Sequence, residues 1–262
     1  MNDSYNPGQS DFTVTGLIGP ARIRVLRKRN RDKISEDVAD RLYSLLGQSV
    51  HTILERAAVE GALAEVRLYA NVGGLRISGQ LDHAVFLPGY GLLQDYKLCS
   101  LWTDLKKAEW IQQINMLAWL LRVNGYQVTK GQIVPIFRDW SKARARREPG
   151  YPQHQSQLVD IELWPDEQVL AFVRERIKAH TEAEMGTLPE CTNEERWYRG
   201  EEFAVMKGDN KRATKLFVFK NEAEAFAASD PKMRVEKRPG ENVRCKDYCP
   251  VSDFCDFWQA QQ

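Results

Sequence analysis

Three charged side chains near the middle of this 262-residue chain have the types and spacing to bind a divalent cation. Asp82 lies in residues 75–87, where apolar and polar side chains alternate, and Asp95 and Lys97 lie in a second apolar stretch, residues 92–99. Alternation with a period of two is typical of half-buried strands. Two carboxylates and a lysine on neighbouring strands could therefore converge on one ion.

The sequence PGYG between the two stretches is a turn signal, so we predict a β-hairpin. With the turn centred on residues 89–90, Asp82 lies opposite Lys97, and Asp95 lies opposite Ala84. The two aspartates and the lysine then share one face, where cross-strand neighbours are roughly 5 to 8 Å apart. Carboxylates at that distance repel each other unless a cation neutralises them, which predicts a metal site. A surface salt bridge on a solvated strand is the alternative.

The segments Gly79-Gln-Leu-Asp82 and Asp95-Tyr-Lys97 resemble motifs of the PD-(D/E)XK nuclease superfamily. Within it they are similar to the RecB-like exonuclease group, which includes CRISPR-associated and phage enzymes. The resemblance implies an α/β, restriction-endonuclease-like core in which a mixed central β-sheet is flanked by helices. It also implies that Asp82, Asp95 and the backbone carbonyl of Tyr96 bind Mg²⁺ or Mn²⁺. Lys97 would orient or deprotonate the attacking water.

Upstream, the spacing of apolar residues predicts an amphipathic helix over residues 39–59. Its apolar stripe consists of Leu42, Leu45, Leu46, Val50, Ile53 and Leu54. His51 and Glu55 are four residues apart and share one helix face. Gly47, His51 and Glu55 match a G-x-x-x-H-x-x-L-E-like helix of RecB-like nucleases. That match implies that His51 completes the metal site; an ordinary helix histidine is the alternative.

Downstream, residues 109–122 have the apolar spacing of a helix that packs on a sheet. The family has a Q-x-x-x-Y signature in this helix. Gln113 matches the glutamine, whereas Leu117 stands where the family has tyrosine. The resemblance therefore places Gln113 near the active site as a catalytic residue.

The chain contains five cysteines, and three of them are close together at its C-terminal end: Cys245, Cys249 and Cys255. With Cys191 they form a set of four that could bind a soft metal centre. In RecB-like nucleases a similar order of cysteines binds a 4Fe-4S cluster, which the resemblance implies here. The set begins C-x3-C where the family has C-x2-C, and four thiolates also suit Zn²⁺, so zinc stays open. Cys99 fits a small core residue better.

Basic residues interleaved with an aromatic residue are typical of grooves that follow a nucleic-acid backbone. Residues 138–147 have this pattern and contribute four candidates: Trp140, Lys142, Arg144 and Arg146. Trp102 could also stack on bases of a single strand. A solvated loop for the basic residues, and core packing for a tryptophan, are the alternatives.

The composition sets wide limits on the fold and the partners. With 37 basic and 36 acidic residues the net charge is only +1, so DNA would have to bind to a local patch. The sequence contains no run of about 20 apolar residues, so we predict no membrane span.

We predict a RecB-like nuclease core over residues 1–190 and a cysteine-cluster region over residues 191–262, with an inserted ββα-like module at about 196–240. The odd cysteine number and the absence of a signal peptide predict a cytoplasmic protein.

Together these features predict a metal-dependent DNA nuclease. Resemblance to the RecB-like group implies an exonuclease that acts on DNA ends or single strands in recombination, repair or phage DNA metabolism. A helicase or recombinase could work alongside it. Two alternatives are a non-catalytic nucleic-acid-binding or adaptor protein on the same fold, and a zinc-stabilised structural protein whose hairpin carboxylates only form salt bridges.

Overall fold

The computed structural model describes residues 9–35, 42–56 and 60–262. The chain divides into two compact units. The first comprises Met1–Ala21 and Ser35–Thr187, and the second comprises Arg22–Ile34 and Leu188–Gln262. Mixed sheets flanked by helices make up the protein, which confirms the predicted α/β class and is consistent with a nuclease-like core. The predicted domain limits stay a prediction.

The first unit contains two mixed sheets. Their strands are β1 (Phe12–Thr13), β2 (Leu63–Ala64), β3 (Arg67–Val72), β4 (Leu75–Gln80), β5 (His83–Leu87), β6 (Tyr90–Cys99), β7 (Lys130–Phe137) and β8 (Val159–Ile161). The smaller sheet has the order β1-β4-β3, with β1 parallel to β4. The larger sheet has the order β2-β5-β6-β7-β8, in which β6 and β7 are parallel and the other neighbours are antiparallel.

The helices are α1 (Val14–Ile18), α2 (Ala21–Arg29), α3 (Leu42–Arg56), α4 (Ala108–Val123), α5 (Lys142–Ala145), α6 (Asp166–Met185), α7 (Lys220–Ala227), α8 (Val243–Asp247) and α9 (Asp256–Gln259). Within the described ranges, none of them has both the length and the apolar character needed to cross a membrane.

Helix α4 forms the centre of the first unit's core, because every residue from Ile114 to Leu121 is buried. Gly79 of β4 lies directly against this helix. A Cβ atom at Gly79 would lie 2.7 Å from the side chains of Leu117 and Leu120. The glycine of the G-x-x-D motif therefore lets α4 pack against the strand that leads to Asp82.

The long strand predicted over residues 75–87 is two strands in different sheets. The chain leaves β4 after Gln80 and enters β5 at His83. At the break, the N–H of Leu81 donates to the carbonyl of Val66, and the N–H of Glu65 donates to the carbonyl of Asp82. These bonds to the neighbouring segment hold Asp82 at the point where one sheet passes into the other.

The predicted hairpin of β5 and β6 exists, but its predicted register is wrong by two residues. Leu87 pairs with Tyr90, and Ala84 pairs with Leu93, not with Asp95. The turn is centred on Pro88 and Gly89, because proline suits the first central position and Gly89 has a φ of +73° at the second. A shift of two residues keeps each paired side chain on its predicted face.

Helix α3 carries His51 and lies against β6. Its described bounds fall inside the predicted helix; the predicted residues 39–41 and 57–59 lie outside the described residues. The apolar stripe does not form a core face, since no residue of α3 in the described part is buried and Leu42, Leu46 and Ile53 are exposed. The helix thus borders the first unit's core and does not belong to it.

The second unit contains β9 (Tyr198–Arg199), β10 (Glu202–Lys207), β11 (Lys215–Phe217), β12 (Met233–Arg238) and β13 (Glu241–Asn242). Strands β11, β10 and β12 form an antiparallel sheet in that order, and α7 packs against one side of it. Strand β9 pairs with β13. The two strands and the helix of the predicted inserted module are present. Strand β12 was not predicted, because four of its six residues are charged.

Candidate active site

An open cleft of about 700 Å³ in the first unit is lined by polar side chains from α1, α3, α4 and the strands β3 and β4. Among its lining residues are His51 and Gln113 and three carboxylates, Glu55, Glu65 and Asp82. The concentration of acidic and imidazole groups in one cleft is typical of sites that bind a divalent cation.

His51, Glu65 and Asp82 form a tight group of donor atoms that lie within 4.8 Å of one another. His51 Nδ1 is 3.4 Å from Glu65 Oε1 and 3.4 Å from Asp82 Oδ1. Ligand atoms around one octahedral Mg²⁺ are about 3 Å apart when adjacent and about 4 Å apart when opposite. The three side chains therefore fit one ion after small rotations.

The charges of this group act strongly on the histidine. Hydrogen bonds to Asp82 and Glu65 raise the pKa of His51 to about 10, although partial burial opposes the charged form. A histidine must lose its proton to bind a metal ion. Binding at this group would therefore release a proton from His51.

Asp95, Lys97 and Gln113 form a second group. Gln113 Nε2 donates to Asp95 Oδ1 at 2.8 Å, and Lys97 Nζ donates to Gln113 Oε1 at 2.9 Å. Lys97 Nζ also lies 2.6 Å from Asp95 Oδ2. Burial raises the pKa of Asp95 to about 6; the positive charge of Lys97 opposes this rise, and the charge of Asp82 adds to it.

The two groups meet at Tyr96, which lies between Asp95 and Lys97 in β6. Its backbone N–H donates to Asp82 Oδ2 at 2.7 Å. Its ring meets the imidazole of His51 edge-on, with the ring centres 6.4 Å apart. The structure thus brings His51 and Asp82 together and places Asp95, Lys97 and Gln113 next to them. Ligand roles for Asp95 and for the Tyr96 carbonyl stay predictions.

Glu65 is the residue of this site that the sequence did not predict. It lies opposite Asp82 because β2 pairs antiparallel with β5 and the pairing continues one residue beyond β2. Its φ of +52° is uncommon for any residue other than glycine and indicates local strain. Gln80 Nε2 donates to Glu65 Oε2 at 2.7 Å, and Arg67 in turn donates to Gln80 Oε1 at 2.7 Å. These hydrogen bonds hold the Glu65 carboxylate in its orientation toward the cleft.

Replacing Glu65 with glutamine should weaken Mn²⁺ binding by about tenfold or more, because the group loses one anionic donor. Isothermal titration with Mn²⁺ measures this effect. Glu55→Gln is the matched control: Glu55 lines the same cleft but is not in the group of three, so its replacement should leave Mn²⁺ affinity nearly unchanged. Equal losses in both variants would contradict the assignment of Glu65.

The candidate nucleic-acid residues lie in two places of the first unit. Trp102 is in the loop between β6 and α4, and its surface is 84% exposed. Asp139 holds the start of this loop, since it accepts hydrogen bonds from the hydroxyl of Ser100 at 2.6 Å and from the N–H of Leu101 at 2.9 Å. An exposed indole on a loop that is held by hydrogen bonds suits base stacking.

The second place is the segment around α5. Trp140 is half-buried, and its Nε1 donates to the carbonyl of Pro152 at 2.8 Å. Lys142, Arg144 and Arg146 are exposed. Arg144 binds the carboxylate of a nearby glutamate through two hydrogen bonds of 3.0 and 2.8 Å. The basic segment is therefore partly neutralised, and contact of these residues with DNA stays a prediction.

Cys191, Cys245, Cys249 and Cys255 line one small cavity in the second unit. Within the described ranges, no three of their sulfur atoms lie within 4.8 Å of one another. Sulfur atoms around a tetrahedral Zn²⁺ are only about 3.8 Å apart. Burial and the neighbouring thiols raise the pKa of Cys191 to about 12. Cys99 lies in the first unit, buried at the end of β6.

The cysteine cavity is also lined by arginines: Arg22, Arg196 and Arg244. Arg22 is buried and donates from Nε to the sulfur of Cys255 at 3.2 Å. It also donates to the carbonyls of Leu188 and Pro189, at 2.9 and 3.1 Å. Positive side chains beside four cysteines would offset the negative charge of a thiolate-bound metal centre.

Comparison with known proteins gives a match in fold only. No family profile matches the chain, and no curated protein sequence matches it. Among solved structures it is similar to SSO0001, with 18% identity and a TM-score of 0.50 over 67% of this chain and 79% of that protein. It is also similar to a candidate exonuclease from Eubacterium rectale, with 13% identity and a TM-score of 0.33 over 61% of this chain and 60% of that one. The chain therefore shares the fold of SSO0001 over part of its length.

Proposed function

We propose that this chain is a divalent-metal-dependent deoxyribonuclease of the RecB-like kind, which removes nucleotides from DNA ends and favours single strands. The observation that carries the proposal is the group of His51, Glu65 and Asp82 beside a buried aspartate and lysine. A group that could hold a cation, next to an amine, suits phosphodiester hydrolysis, because both stabilise negative charge on the phosphate.

Each group of the site has a distinct role in this proposal. Asp82, Glu65, His51 and Asp95 would hold Mg²⁺ or Mn²⁺, which when bound lowers the pKa of water and neutralises charge on the phosphate. Lys97 would orient the attacking water and stabilise negative charge on the phosphate oxygens. Gln113 bonds to both Asp95 and Lys97, so it would keep the amine in place.

A cleavage assay tests the proposal directly. End-labelled single-stranded DNA, duplex DNA and RNA of one sequence are incubated with the full chain and Mg²⁺, Mn²⁺ or EDTA. We expect cleavage of DNA with either metal, fastest on single strands, with mononucleotides as the first products, and no cleavage in EDTA. Intact DNA under all metal conditions would overturn the proposal, as would cleavage that EDTA does not stop.

Replacing Trp102 with alanine should raise the KM for single-stranded DNA about fivefold or more, because each base stacked on an aromatic ring contributes about 1 to 3 kcal/mol. The value of kcat should change little, since the indole does not touch the metal-binding group. Steady-state kinetics on single-stranded DNA measure both values. Trp102→Phe keeps a ring and should restore most of the affinity; an unchanged KM in the alanine variant would remove Trp102 from the binding surface.

We also propose that the four cysteines bind a 4Fe-4S cluster. The four cysteines line one cavity, and the arginines that share its lining suit the negative charge of a cluster. Zinc is the alternative metal. Iron, acid-labile sulfide and zinc contents of anaerobically purified protein distinguish the two.

A further inference from the structure

The strands β10, β11 and β12 and helix α7 form a small module with its own core. Phe203 and Val205 of β10 and Ala223 of α7 are buried at its centre. Phe217 of β11 and Phe226 of α7 pack against them, with their ring centres 5.5 Å apart. The side chains of β11 that alternate with Phe217 therefore lie outside this core.

Strand β11 and the residue pair after it present apolar side chains to solvent. Phe217 faces the core, and the alternation of a strand turns its neighbours Leu216 and Val218 the other way. Leu216 is 45% exposed, Val218 68% and Phe219 61%. Phe219 immediately precedes α7, and its ring lies outside the module's core. Three exposed apolar side chains within four residues of a small module indicate a binding surface.

The same segment is strongly positive. Residues 211–220 read KRATKLFVFK, with four cations and no carboxylate. Lys220 forms an ion pair with a glutamate of α7 at 3.1 Å. Within the described ranges, Lys211, Arg212 and Lys215 form no ion pair, and Lys215 Nζ instead lies 4.8 Å from the ring centre of Phe217. Lys211 and Arg212 are thus exposed cations just before β11 in the sequence, with no ion pair to a protein anion in the described part of the chain, whereas Lys215 covers the core-facing ring of Phe217.

We propose that this surface is a second binding site for single-stranded DNA, separate from the cleft that contains the metal-binding group. We name it the β11 strip; it consists of Lys211, Arg212, Leu216, Val218 and Phe219. Cations that follow a phosphate backbone, combined with an exposed ring on which bases stack, are the general means of binding single strands without sequence preference.

A single strand fits the β11 strip better than a duplex does. The exposed ring of Phe219 can stack only on a base that is not already paired and stacked within a double helix. An anionic membrane would also match cations beside apolar residues. The choice of DNA over a membrane rests on the proposed nuclease function, so the test includes both ligands.

The test is equilibrium binding of a fluorescent oligo(dT) to the full chain in EDTA, which separates binding from cleavage. In the double variant Lys211→Ala/Arg212→Ala, the slope of log K against log salt should become shallower by about 1.4, since each lost contact to a single strand contributes about 0.7. Phe219→Ala should weaken binding about fivefold or more and leave the slope unchanged. Lys232→Ala, an exposed lysine of the same module outside the strip, is the control and should change neither quantity.

Unchanged affinity and slope in the strip variants would overturn the inference. It would also be overturned if the strip variants lost binding to phosphatidylglycerol vesicles but not to oligo(dT). Thermal unfolding of each variant should match that of the unaltered chain, because all the replaced side chains are exposed. If the unaltered chain cleaves no DNA but the strip variants still lose oligo(dT) binding, the nuclease proposal fails and the β11 strip stands.

Discussion

Replacing Lys97 with alanine is expected to lower the rate of Mg²⁺-dependent DNA cleavage by about 10² to 10⁴-fold, the usual effect of losing a positioned proton-transfer or charge-stabilising group. The amine is held between Asp95 and Gln113. Its positive charge also opposes the rise in the pKa of Asp95. Without the lysine, the pKa of Asp95 should rise further above about 6. Asp95 then becomes protonated near neutral pH. Because no unpaired negative charge is left buried, the fold should be kept.

Single-turnover cleavage and DNA binding in EDTA, measured on the same preparation, check this prediction. DNA affinity should stay nearly unchanged, because the loss affects the chemical step. Lys106→Ala is the matched control, since Lys106 is an exposed lysine in the loop that follows β6. Cleavage at the normal rate in the Lys97 variant would remove the lysine from the reaction.

Replacing Cys249 with serine is expected to abolish the metal centre of the second unit and to unfold much of that unit. Metal binding to a structural thiolate site contributes on the order of 10 kcal/mol to folding. The core around the cysteine cavity is small: only Leu26, Val251 and Cys255 are fully buried, and its other apolar residues are only partly buried. The variant should be less soluble, lose its visible colour and lose its bound metal.

Metal analysis and thermal unfolding of the two cysteine variants measure the effect. Cys99→Ser is the control, because Cys99 is buried in the first unit and lines no part of the cysteine cavity. It should retain the full metal content. A Cys249→Ser protein with normal metal content and normal unfolding would show that the four cysteines do not act together.

Spacing along single strands and helices could be predicted from the sequence, because it depends only on local periodicity. Asp95 and Lys97 are two residues apart in β6, so they share a side, and Gln113 reaches them from α4. Helix α3 was likewise predicted from spacing: its described bounds, Leu42–Arg56, fall inside the predicted residues 39–59. For such residues the sequence already predicts which side chains share a face, and the structure supplies the distances between them and their burial.

Contacts that depend on pairing between distant segments could not be predicted. Glu65 reaches the site because the two-residue strand β2 pairs with β5, and so short a strand has no periodicity to detect. The hairpin register is a related case. The segment PGYG offers two turn centres, and only the positive φ of Gly89 in the structure selects Pro88-Gly89.

A crystal of the full chain grown with Mn²⁺ tests the central claim most directly, because anomalous scattering locates manganese without reference to the protein. We expect a manganese peak at the cleft, within about 2.0 to 2.3 Å of the Asp82 carboxylate, with His51 or Glu65 as a further ligand and Asp95 facing the same ion. A crystal in which manganese binds elsewhere, with Asp82 and Asp95 contacting no ion, would contradict the proposed nuclease site.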